Sequence, residues 1–238
     1  MSLRRSFIRF LSSEGCNKFS ENSILPVEDQ VKAWKVANRK MHWNIGENEF
    51  SRTGNVPVLT EEDSTEGFTA VALFYGFGDD GRGNSDPVLS GKTAWEYARK
   101  QRKRRIWQSP YVSFDRHDAF RLRPGAPPRP KGFYFAKLRT AEYSRAFTVR
   151  QARESFNGTT GLGPEGFQFL CINHSHFPDL MSKRKTPFMA LADYDIAPYG
   201  FNDFFDVPQL FSSNGVLGLG IGNVDQHYPG FSIPSLRL

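Results

Sequence analysis

Two histidines and a set of aspartates supply the residue types from which a metal centre is built. His174 and His176 form an H-x-H pair. On an extended segment that spacing turns both imidazoles to one side. Asp193 and Asp195 follow less than twenty residues later, and in a strand they too share a face. Two imidazoles with carboxylates suit Zn²⁺, Fe²⁺ or Mn²⁺, and a divalent metal so held activates water, for example against a phosphate ester. Asp203 and Asp206, three apart in NDFFD, meet on one helical turn, where either serves as a general base. Four carboxylates in fourteen residues also suit a hard cation such as Mg²⁺ or Ca²⁺. The competing reading is turn chemistry, because Asp beside Pro, Gly and Asn commonly caps turns and faces water. Spacing fixes no third ligand for the histidines. His227 supplies one only if the fold returns the C-terminal end to this region.

A second chemistry lies in the middle of the chain. Lys100, Arg102, Lys103, Arg104 and Arg105 place five cations in six positions, a polyanion-binding signal. Trp107, Tyr111 and Phe114 follow at once. Cations for phosphate and flat rings for bases are what single-strand or RNA binding needs. The competing reading makes these aromatics core residues and the run a solvated helix end, where the dipole alone favours Lys and Arg.

Charge is polarised along the chain. Residues 99–150 hold fifteen Lys and Arg against three acids, a balance of +12. Residues 187–238 hold five acids against Arg237, a balance of −4. Such asymmetry points to a basic surface that meets an anion. Other motifs fail on spacing. Gly78 to Pro87 lacks the order of a calcium loop, and Gly91-Lys92-Thr93 lacks the earlier glycine of a phosphate loop. Gly218, Gly220 and Gly222 do not have dinucleotide-motif spacing. No serine-nucleophile elbow, HExxH, zinc ribbon or kinase signature is present.

These residues need elements to position them. Pro26 suits the start of a helix, and Val27, Val31, Trp34, Ala37 and Met41 recur at helical spacing until Asn44 and Gly46. Lys32, Lys35, Arg39 and Lys40 lie off that stripe and give a basic outer face. Strands are expected at Phe68–Phe77, Gly132–Leu138, Phe188–Tyr194 and Val216–Gly222, with a short one at Val56–Leu59. Ser90 is the expected cap of the helix that ends in the basic run. Thr148 and Gln151 have capping-box spacing. Gly163-Pro164-Glu165 opens a further helix in the order cap, proline, acid. Asn214-Gly215 is a hairpin turn that joins Gln209–Ser212 to the glycine strand. That strand has one apolar face and one bare face, which lets a backbone, a ring or a ligand approach closely.

Together these give an α+β class, with a mixed or largely antiparallel sheet and several short helices. Residues 1–25 form an N-terminal segment and 26–238 one α+β domain, with the Pro-rich stretch 124–130 as the best internal boundary. No run of eighteen apolar residues marks a membrane span, and two cysteines make no framework, so a cytoplasmic setting is expected. Three functions compete: a basic protein binding nucleic acid or another polyanion through 99–123; a metal-dependent hydrolase built on His174, His176, Asp193 and Asp195; and a non-catalytic module whose charged faces meet protein partners.

Overall fold

Acids at the start and bases at the end complement the dipole of α1 (Val27–Met41): Glu28 and Asp29 in its first turn, Arg39 and Lys40 in its last. The helix stops at His42, in the left-handed region (φ 56°), whose N–H returns to the carbonyl of Asn38. Its inner face buries Trp34 completely, against the rings of Trp43, Tyr75, Phe77 and Phe133. The computed structural model describes residues 25–53, 56–102, 105–139, 147–174, 188–198, 203–213, 216–226 and 231–238.

Two short helices follow, α2 (Glu47–Ser51) and α3 (Glu61–Thr65). Residues 56–60 between them are irregular, so the strand expected at Val56–Leu59 does not form. Val58 is largely exposed there and has no burial to reward pairing. Next come β1 (Phe68–Gly76) and α4 (Pro87–Arg102). This helix opens ahead of Ser90. Asp86 is its cap, accepting the N–H groups of Val88 and Leu89 at 2.9 and 3.1 Å. Ser90 lies inside the first turns, donating to the carbonyl of Asp86 and accepting the N–H of Phe77.

The remaining elements are β2 (Ile106–Gln108), β3 (Phe120–Leu122), β4 (Gly132–Arg139), α5 (Val149–Glu154) and β5 (Thr160–Gly161). Then come α6 (Gly166–Gln168), continued by a wide turn over Phe169–Asn173, and strands β6 (Phe188–Ala190), β7 (Tyr194–Ile196), β8 (Asp206–Ser213), β9 (Val216–Asn223), β10 (Phe231–Ser232) and β11 (Ser235–Arg237). The capping box of α5 forms as its spacing requires, with Thr148 Oγ1 accepting Gln151 N–H.

The strands make two mostly antiparallel sheets, an α+β fold. One runs β1-β4-β11-β5. The other is centred on β8, which pairs with β9 along one edge and with β6 and β7 along the other. β10, β3 and β2 extend it, with β10–β6 and β2–β9 parallel. One apolar core joins both sheets, from Leu73, Tyr134 and Leu236 to Ile196, Leu210 and Leu219. A smaller cluster puts Val149 and Ala152 of α5 on Ala190, Val207 and Val224, the opposite face of the second sheet.

β1 is an edge strand, and its outer edge is closed by side-chain amides. Gln30 accepts the N–H of Leu73 and donates to the carbonyl of Val71, both at 2.9 Å. Gln168 does the same for Tyr75, accepting its N–H at 2.9 Å and donating to its carbonyl at 2.7 Å. An amide presents one donor and one acceptor, so it satisfies the edge as another strand would. Among the described residues, no helix is long and apolar enough to cross a membrane.

Candidate functional site

The basic run begins inside α4, and α4 delivers it beside the end of α1. Lys100 Nζ donates to the carbonyl of Lys40 at 2.6 Å, and Lys40 Nζ donates to Gln101 at 2.9 Å. Two helix C-termini, each rich in carbonyls and bases, therefore meet. A carbonyl supplies Lys100 with no counter-charge. The backbone of Arg102 ends the helix, while its side chain, with Lys103 and Arg104, lies outside the described residues. Arg105 is exposed, and its carbonyl accepts the N–H of Leu217 at 3.1 Å, which starts the pairing of β2 with β9.

β2 sorts its side chains by alternation. Ile106 packs on the core, and Gln108 accepts the indole N–H of Trp95 at 2.9 Å on the same side. Trp107 therefore points the other way and is 47% exposed. Gln108 also donates to the carbonyl of Val112 at 2.8 Å, which fixes the turn that carries Tyr111, itself 54% exposed. Phe114 goes inward instead, stacked on Phe120 at 5.5 Å. Of the three aromatics after the basic run, two thus stand at the surface.

β8 and β9 supply Trp107 with a neighbour that the sequence reading missed. Phe211 lies opposite Gly218 and reaches Trp107, ring centroids 5.3 Å apart. Counting back from the two-residue turn Asn214-Gly215 pairs these positions, so the signal was in the sequence. The turn residues themselves lie outside the described residues, but Ser213 and Val216 pair on either side of them.

The histidine and aspartate positions are arranged differently from the expected metal set. His174 is buried at the end of the wide turn, its ring 4.5 Å from that of Phe169. His176 and His227 lie outside the described residues. Phe188–Tyr194 is not one strand: Leu191 to Asp193 break it between β6 and β7. The break sends Asp193 and Asp195 to different partners. Asp193 is fully buried and saturated. Its Oδ1 accepts the N–H of Gly161 at 2.8 Å and lies 3.4 Å from Arg123; its Oδ2 takes Arg129 at 2.6 Å and the hydroxyl of Thr160. Asp195 lies 2.8 Å from Arg153 of α5 and 3.7 Å from Arg121. Among the described residues no group of three or more His, Cys, Asp and Glu side chains is placed to hold a metal.

Asp203 and Asp206 do not share a helical turn. Asp203 is exposed and irregular, and Asp206 opens β8 opposite Asn223. Burial pushes the Asp206 carboxyl above its ordinary pKa.

The proline-rich stretch also surprises, because it carries a buried cation. Arg129 is 2% exposed. Its guanidinium donates to Glu165 at 2.8 Å, to Asp193 at 2.6 Å, and to the carbonyls of Pro127 and Gly161 at 2.9 and 3.0 Å. Burial opposes its charge, but Glu165 and Asp193 outweigh that and hold it protonated. Burial also pushes the neighbouring Tyr134 and Tyr194 hydroxyls up. Two acids face Arg129 and Arg123, so the cluster is internally balanced and clamps the loop to β5 and the β6–β7 turn.

Comparison with protein-family models, with curated proteins and with solved structures finds no match to this chain.

Proposed function

We propose that the protein binds nucleic acid or a related polyanion through residues 99–123. The observation that supports this best is the exposure of Trp107 and Tyr111 on the strand and turn that follow the basic run. Exposed rings at Trp107 and Tyr111 offer faces for bases, and exposed Lys100 and Arg105, which precede them in the chain, offer charge for phosphate. The meeting of α1 and α4 adds Arg39 and Lys40 to the same basic surface. Phosphate contact of this kind makes affinity fall linearly with salt on logarithmic axes, with a slope of about −0.7 per phosphate on single strands.

The test is binding of end-labelled single-stranded and duplex oligonucleotides over a range of ionic strengths. The expected result is a steep salt dependence, and a shallower slope with weaker binding in Lys100→Glu and Arg105→Glu. Absence of binding at low ionic strength overturns the reading.

A further inference from the structure

We infer that Trp107, Gly218 and Phe211 form a stacking platform for the bases of single-stranded nucleic acid, a deepening that rests on the polyanion reading above. These three residues occupy one row across three strands. Trp107 is the register partner of Gly218 in the parallel pair β2–β9, and Phe211 is its partner in the antiparallel pair β8–β9. All three project to the same side. Leu217 and Leu219 of β9 and Leu210 of β8 face the main core, so alternation turns Gly218 and Phe211 away from it, as it does Trp107.

The glycines make room for the Phe211 ring, which meets the indole of Trp107 at an interplanar angle of 55°. A β-carbon on Gly218 would lie 2.0 Å from Cζ of Phe211, an impossible contact, and one on Gly220 would sit 3.4 Å from its Cε1. Phe211 therefore lies down across β9, over the two glycines, until it meets the indole of Trp107. With a larger residue at 218 the ring would have to stand off the sheet, and the contact at 5.3 Å would be lost. Val207, on the same face of β8, is covered by α5, whereas Phe211 is only half-buried and Trp107 is 47% exposed.

Charge decides the occupant. Exposed Arg105 lies two residues before Trp107, and exposed Lys100 in the helix before that, so the chain reaches the platform through cations. A second copy of this chain would bring the same positive charge against them. An exposed indole engages the face of a base, and duplex bases show only their edges, so single strands are the class that fits.

The experiment compares, at low ionic strength and with the full chain, an end-labelled oligouridylate, an abasic phosphodiester strand of equal length, and a duplex. Stacking predicts that the strand with bases binds about ten- to a hundredfold more tightly than the abasic strand. Trp107→Ala should lower the first affinity to that of the second while leaving the abasic strand unchanged, and Trp107→Phe should keep most of the difference. Equal binding of the two strands, indifferent to Trp107→Ala, overturns the platform and leaves the polyanion reading standing. Self-association that Trp107→Ala removes, with no base effect, also overturns it and makes the row a contact between copies. No binding of any strand overturns both.

Discussion

Arg129 shows how one residue's role follows from what surrounds it. A guanidinium removed from water is tolerated here because all three of its nitrogens donate, two of them to carboxylates. Losing it would leave Glu165 in the interior without its cation and Asp193 with only the longer contact to Arg123. Arg129→Met is therefore expected to cost about 3–5 kcal/mol in urea unfolding. Arg129→Lys should recover little, because an ammonium lacks the planar fork that reaches Glu165, Asp193 and two carbonyls together. A loss below 1 kcal/mol, by the same order-of-magnitude scale, would show that the clamp is not holding the loop. Asp193 teaches the complementary lesson. Its residue type suits a metal or a catalytic base, but each of its oxygens already has two donors.

At the scale of elements, the glutamines on β1 are the clearest case of a side chain replacing a strand. Gln168 pairs with Tyr75 in both directions, so its amide must donate and accept at once. Gln168→Glu keeps the acceptor but sets a carboxylate against the carbonyl of Tyr75. The variant should lose about 1–3 kcal/mol at neutral pH. Below the carboxyl's pKa the protonated acid regains a donor, so part of the loss should return on acidification. A urea-unfolding series against pH measures this; a deficit that does not shrink in acid would mean that the amide's donor is not what matters. The β8–β9 hairpin makes a related point. The glycines of β9 are conformationally ordinary; Gly218 and Gly222 matter because Phe211 and Gln209 occupy the space that side chains would need.

Across the whole molecule, Asp63 ties α3 to the first sheet. Its carboxylate meets Lys137 of β4 at 2.6 Å and Arg237 of β11 at 3.1 Å. Hydrogen bonds from the Lys137 side chain and from the Thr60 backbone hold it well below the usual carboxylate range. A depressed folded-state pKa contributes stability that is present above the unfolded value, near 3.8, and is lost as pH falls through the folded value. Stability should therefore decline on the acid side below about pH 4. Asp63→Asn should lower neutral stability and flatten that acid limb, as read by thermal unfolding against pH. An acid limb unchanged in the variant would assign the decline to other carboxylates.

Much of the architecture was legible in local pattern. Apolar periodicity placed α1, β1, β4 and β9 within a residue or two, because burial of one face imposes the period of the element that buries it. Alternation and the Asn214-Gly215 turn even contain the pairing of Phe211 with Gly218. What the sequence could not show is which polar groups meet across the chain. Arg129 finds Asp193 64 residues away, Gln30 finds Leu73 across 43, and Gln168 finds Tyr75 across 93. Arg129 and Asp193 carry no periodic signal of burial, and Gln30, though it shares the buried stripe of Trp34 and Ala37, carries no local sign of the strand edge that satisfies it. The turn that splits β6 from β7 likewise carries Asp193 to partners that the apolar run around it does not announce. Faces and turns are local properties of the chain; the choice of polar partner belongs to the path by which the chain returns, and only the tertiary structure decides it.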